Sequence, residues 1–229
     1  MGAIAVTWTT IAGLLTWVIR AMREIEYFYS AHSAYAYLGS ARFMAIAAKS
    51  NRVVVHKPYD LNIGIVGVGS TSTRSRPENH RAYYFGREIE RWAEYRDAPV
   101  VTGMPTHHWN DMTLANCLII AVGARGEAAD TLAHAMLQAH WRDDADLADE
   151  ATLERLIRGA GLDAAALMNA ARAADTLASY DANTREAIER SVFGSPTYFV
   201  DGDMFYGQDH LEMVERALRQ PFAGAWPRA

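Results

Sequence analysis

Apolar and polar positions divide this chain into strand-like ends around a long helical middle. Residues 25–29 (Ile-Glu-Tyr-Phe-Tyr) are short, aromatic and apolar, which predicts a strand. Ser30-Ala-His-Ser-Ala34 breaks it. Over residues 35–49 the apolar positions Tyr37, Leu38, Ala41, Met44, Ala45 and Ala48 then recur at helical spacing. Val53-Val-Val-His56 predicts a second strand ended by Pro58, so the opening reads as a βαβ unit with parallel strands. Residues 62–77 read as a loop, with Gly64, Gly67 and Gly69 followed by Ser70-Thr-Ser-Thr-Arg-Ser-Arg76. The glycine order does not match a dinucleotide-binding turn, and Pro77 rather than an apolar helix follows, so a flexible loop over a site is expected. Residues 78–96 are amphipathic, with Tyr83, Tyr84, Ile89 and Trp92 on the apolar side, and 111–123, 128–141, 151–159 and 163–191 predict further helices.

The pattern returns to strands at Gly194-Ser-Pro-Thr-Tyr-Phe-Val-Asp-Gly-Asp203. Pro196 is expected to open a strand, since a central strand rarely tolerates proline in its interior. Its bond to Ser195 is expected to be cis, leaving the Ser195 N–H and C=O turned outward to pair with an extended peptide. Asp201-Gly202 predicts a hairpin turn, and Asp209 suits the N-cap of a closing helix, whose first amides would also attract a carboxylate. A proline-gated strand, a hairpin and a helix resemble the closing half of a thioredoxin-like fold. The expected architecture is therefore α/β, thioredoxin-like, with an inserted all-helical subdomain. Its parts are an N-terminal helical arm or extension (1–24), a βαβ half (25–76), the helical subdomain (77–191) and a ββα half (192–229).

Composition narrows the function. Half of the 229 residues are hydrophobic, enough for a substantial core, and a net charge of −5 gives no reason to expect nucleic acid as a partner. His107-His108 is the only adjacent histidine pair, and sequence neighbours rarely ligate one ion together, so no metal is expected. The single cysteine, Cys117, lies in an apolar helical run; it excludes an intrachain disulfide and reads as an inert core thiol. Residues 2–19 carry no charge, but four threonines and Gly13 dilute the run, and no positive charge precedes it. A helical arm is expected, with a membrane anchor or a start at Met22 as the alternatives, and the protein is expected in the cytoplasm.

The chemistry is expected where the first strand meets the first helix. Thioredoxin-like disulfide enzymes hold a Cys-x-x-Cys pair there, and Ser33-Ala-Tyr-Ala36 has neither cysteine. A helix N-terminus still stabilises an anion, and Ser33 can donate to it, so the corner suits a thiolate brought by a ligand; the plain alternative for Ser33 is an N-cap. Ile25-Glu-Tyr-Phe-Tyr-Ser-Ala-His-Ser-Ala-Tyr-Ala-Tyr-Leu38, Lys57 to Leu61, Arg91-Trp92-Ala93 and Val192-Phe-Gly-Ser-Pro-Thr197 together resemble 2-hydroxychromene-2-carboxylate isomerases, relatives of kappa-class glutathione transferases. The resemblance covers about residues 24 to 220. Ala34, where the family has proline, and Ser30-Ala-His32 depart from its pattern.

That resemblance implies a glutathione-binding enzyme, usually dimeric. Carried over residue by residue, Ser33 holds the glutathione sulfur. Ser195, before Pro196, pairs with the cysteinyl unit, Gln208 and Asp209 reach the γ-glutamyl end, and Lys57 is the basic residue near the substrate carboxylate. The implied reaction is isomerisation of a small aromatic pyruvate-type substrate by reversible thiolate addition, with a homodimer as the working form. A glutathione transferase or peroxidase that consumes glutathione, and a redox-dead binding protein, are the other readings.

Overall fold

The computed structural model describes residues 24–224; the expectations for residues 1–23, the arm, anchor and alternative start, lie outside the described residues. A four-stranded sheet runs in the order β2-β1-β3-β4, from β1 (Glu24–Tyr29), β2 (Val53–Pro58), β3 (Thr197–Val200) and β4 (Asp203–Tyr206). β1 pairs parallel with β2 and antiparallel with β3, and β3 pairs antiparallel with β4. The β3–β4 hairpin turns at Asp201 and Gly202, both at positive φ, as the Asp-Gly signal predicts.

Strand alternation sends β1 side chains to two cores. Tyr27 and Tyr29 face the larger one, where Tyr27 stacks on Tyr198 with ring centroids 5.3 Å apart, while Phe28 faces the other with Phe199 and Tyr59. Helix α1 (Ala34–Ser50) crosses from β1 to β2 and buries Tyr37, Leu38, Phe43 and Ile46 in the larger core. The closing helix, α10 (Leu211–Arg219), lays Leu211, Val214 and Ala217 on the sheet and against α1. Glu215 binds Arg42 and Lys49 of α1 across that contact.

Between β2 and β3 the chain is helical: α2 (Leu61–Gly67), α3 (Glu78–Ala82), α4 (Glu88–Arg96), α5 (Thr113–Ala121), α6 (Gly126–Asp143), α7 (Glu150–Gly159), α8 (Ala164–Ala171) and α9 (Ala174–Glu189). Three details differ from the sequence reading. Residues 61–67 are a helix rather than loop, capped by Asp60, whose carboxylate accepts from Ile63 N at 2.9 Å. The glycines that suggested a loop are there for close approach: a Cβ on Gly64 would sit 2.5 Å from the Tyr59 ring, and one on Gly67 2.6 Å from Ile188. The segment read as one helix over 163–191 breaks at Arg172 and Ala173, with Thr176 Oγ1 donating to Ala170 O at 2.8 Å. Helix 78–96 is interrupted by a π turn at Tyr83–Arg87, which pushes Tyr84 and Phe85 towards the head of α1. There the Tyr84 carbonyl accepts the Tyr35 hydroxyl at 2.5 Å. Among the described residues no helix is long and apolar enough to cross a membrane.

Candidate active site

Three backbone segments converge at the C-terminal end of β1. Ser33 closes the turn after the strand, its N–H donating to Ser30 O at 2.9 Å, and its side chain caps α1 by accepting from Ala36 N at 3.3 Å. The same hydroxyl donates to Ser195 O at 3.1 Å, and the Ser195 hydroxyl accepts from Ser30 N at 3.2 Å. The Ser195–Pro196 bond is cis. The N-cap reading of Ser33 and its pairing with the proline corner therefore hold together. One hydroxyl serves both because it carries lone pairs as well as a proton. The first amides of α1 have no acceptor within the helix and open with Ser33 onto a cavity. Tyr35, Arg76, Tyr84, Phe193 and Tyr206 also wall it.

Gln208 lies outside this cavity. It lines a second cavity that shares Tyr35, Tyr84, Ser195 and Tyr206 with the first. Arg96 fixes the orientation of the Gln208 amide, its Nε donating to Oε1 at 3.0 Å and its Nη2 to the Gln208 backbone carbonyl at 3.1 Å. A guanidinium only donates, so Gln208 Nε2 is the other amide atom, and it is buried without a partner. A buried unpaired donor costs about 1–3 kcal/mol, which an acceptor from a ligand would offset. Asp209 is half-exposed at the cavity mouth. It is not the helix cap expected of it: the last helix opens through a single 3₁₀ turn, Gln208–His210, which begins at Gly207 with no side-chain cap.

Lys57 does not join these residues. In β2 it stands opposite Phe28, and its Nζ is 2.6 Å from Glu186 and 3.4 Å from Glu26, over the Phe28 ring. Arg190 completes that ionic cluster on the smaller core, and Lys57 lines none of the cavities around Ser33. The cation that does face Ser33 is Arg76, whose guanidinium lies 5.7 Å from the Tyr84 ring centroid. Arg81 braces its loop by donating to the carbonyls of Arg74 and Arg76. The arginine-bearing run 70–76 was the signal available in the sequence, where it suggested only a covering loop.

Histidines are the larger omission. His32 and His108 line the Ser33 cavity and a neighbouring one, against Trp141, whose indole donates to His32 O at 2.8 Å. Burial, then His140, pushes the His32 pKa down to about 3. Burial, then His32, His140 and Arg74, pushes His108 down to about 2. Both rings are therefore neutral at ordinary pH. Cys117 is wholly buried, and burial raises its thiol to about 11, so it stays protonated and inert. Among the described residues no group of three or more His, Cys, Asp or Glu could hold a metal ion.

The model of the DsbA-like thioredoxin domain matches residues 24–219, and the chain belongs to that family. A curated 2-hydroxychromene-2-carboxylate isomerase of Sphingobium xenophagum is 25% identical over 199 residues, 86% of this chain and 98% of that protein. One from Pseudomonas putida is 24% identical over 194 residues, 85% of this chain and 93% of that one. These relatives agree with the resemblance drawn from the motifs. A solved 2-hydroxychromene-2-carboxylate isomerase superposes with a TM-score of 0.75 at 24% identity, covering 86% of this chain and 95% of that one. The cytosolic disulfide reductase DsbM from Pseudomonas aeruginosa, solved with GSH, gives 0.51 at 18% identity over 86% of this chain and 93% of its own.

Proposed function

We propose that this chain is a glutathione-dependent isomerase of an aromatic pyruvate of the 2-hydroxychromene-2-carboxylate type. The observation that carries the reading is a pair of adjoining cavities with shared walls. One has the Ser33 hydroxyl and the head of α1, and the other an unpartnered Gln208 amide. The curated relatives support the reaction class by their names. The two cavities together suit an extended peptide with a thiol in its middle and a carboxylate-bearing end.

Bound glutathione would supply a thiolate that adds reversibly to a conjugated double bond, leaving a rotatable single bond until elimination restores the alkene. Ser33 and α1 would favour the thiolate. A thiol begins near pKa 8.5, and lowering it by about two units takes roughly 2.7 kcal/mol. A charge-assisted hydrogen bond from Ser33 contributes about 1.5–3 kcal/mol, and helix-end amides add about 0.3–1. The Ser33 proton now rests on Ser195 O. Turning it onto sulfur would release that carbonyl to accept an amide N–H from the peptide. Gln208 Nε2 would donate to the γ-glutamyl carboxylate, with Asp209 facing the neighbouring ammonium. Arg76 replaces Lys57 as the residue proposed to hold the substrate carboxylate.

Thiolate absorbance of the glutathione complex, titrated against pH, tests the Ser33 role. The wild type should bind glutathione with its thiol pKa near 6.5, and Ser33→Ala should return it by at least one unit towards 8.5. Equal pKa values in the two proteins would remove Ser33 from the sulfur site.

A further inference from the structure

Hydrogen-bond partners fix the tautomer of His108 and favour one tautomer of His32. His140 Nδ1 lies 3.1 Å from Ala145 O, and a carbonyl only accepts, so this nitrogen carries the proton. Neutral His140 then has a bare Nε2, which accepts from His108 Nδ1–H at 3.1 Å. His108 is left with a lone pair on Nε2. The chain of constraint at His32 runs the other way. Asn116 Oδ1 accepts from Ala31 N at 2.9 Å, which orients its amide, so Asn116 Nδ2 donates to Ser30 Oγ at 3.2 Å. With one Ser30 lone pair taken by Asn116, its own proton can donate to His32 Nδ1 at 2.9 Å. In that arrangement His32 carries its proton on Nε2. Neither His32 Nε2 nor His108 Nε2 has a partner among the described residues, both rings line the Ser33 cavity, and their centroids lie 5.0 Å apart.

We propose that His32 and His108 form an uncharged donor–acceptor pair that binds a hydroxyl group of the substrate. His108 Nε2 accepts the hydroxyl proton, and His32 Nε2–H donates to the hydroxyl oxygen. The proposal rests on the reading of this cavity as a substrate site and makes its ligand a phenol or an enol. A carbonyl would satisfy only His32, and an amine in its ammonium form only His108. A phenolate is disfavoured, because it would face the His108 lone pair. The charged or titratable groups around the pair include Arg74 beside His108, Arg76 in the Ser33 cavity, Asp60 and Asp111 in the neighbouring one and, around His140, Asp144, Asp146 and His107. The depressed basicity of both rings agrees with a pair that recognises without titrating.

Two measurements decide this. Nitrogen-15 shifts of the labelled protein between pH 7.5 and 5 should show His32 protonated on Nε2 and His108 on Nδ1 throughout; the opposite tautomer, or titration of either ring in that range, overturns the proposal without reference to turnover. Binding of o-hydroxybenzylidenepyruvate should exceed that of benzylidenepyruvate by about tenfold in the wild type. His108→Phe should abolish that preference while binding the deoxy compound as before, and His108→Gln should restore part of it. The Gln variant decides should the Phe variant not fold. Equal wild-type binding of the two compounds, or a preference kept by His108→Phe, defeats the pair while the isomerase reading stands. Binding of neither compound defeats both.

Discussion

Lys57 and Arg76 show how burial and pairing redistribute roles among residues of like charge. Lys57 is held between Glu186 and Glu26 and lines none of the cavities around Ser33. Arg76 reaches the cavity. Lys57→Met is expected to leave turnover within about twofold of wild type and to lower stability by about 1 kcal/mol, since the pairs it makes are only part-buried. A tenfold loss of turnover in a folded Lys57→Met protein would restore it to the site. The sequence contained both cations, but the choice between them depends on side-chain direction. In β2, His56 points to the larger core, where Nδ1 meets Tyr29 OH at 2.8 Å, and the next residue points the other way. His32 and His108, about 75 residues apart in sequence, were invisible as a pair for a similar reason: only the packing of α6 and Trp141 against the strand-to-helix turn brings them together.

At the scale of elements, alternation and helical spacing placed β1, α1, β2 and the closing hairpin, because each has one dominant local signal. The glycine-rich stretch after β2 misled, because glycine there answers a tertiary demand. Gly64→Ala is expected to cost about 1–3 kcal/mol by overpacking, since the new methyl would meet the Tyr59 ring. The shift would be read as a lower urea midpoint at unchanged slope. A neutral result would mean that Tyr59 moves freely, and the packing account of α2 would fail. The break between α8 and α9 has no Gly or Pro to announce it. It depends on packing and on the Thr176 hydroxyl, neither of which periodicity reports. The Ser33 corner was legible because motif and topology coincide there; the orphaned Gln208 amide needed the position of Arg96.

For the whole molecule, the buried histidines tie stability to pH. In the unfolded chain an imidazole titrates near 6.5, whereas His32 and His108 are held at about 3 and about 2, by burial first and then by neighbouring imidazoles. Below pH 6.5 the unfolded chain binds protons that the folded protein refuses. Their contribution is thus complete above pH 6.5 and is lost as pH falls from there towards about 3, on the order of 1 kcal/mol per pH unit for each ring. Carboxylates act in a lower window. At Glu26 burial works to raise the pKa, but Arg190 and then Lys57 pull it below the usual range, so its contribution is present above about pH 4.5. Urea midpoints at pH 7.5 and 5.5 should therefore fall more steeply for wild type than for His108→Phe. Parallel loss in both proteins would contradict the buried, neutral state of His108.

Turnover with the aromatic pyruvate in at least hundredfold excess over glutathione tests the central claim most directly. The account predicts many product molecules per glutathione, full recovery of the free thiol at the end, and a rate at least tenfold lower for Ser33→Ala. One glutathione consumed for each product, or turnover that continues without any thiol, would contradict it.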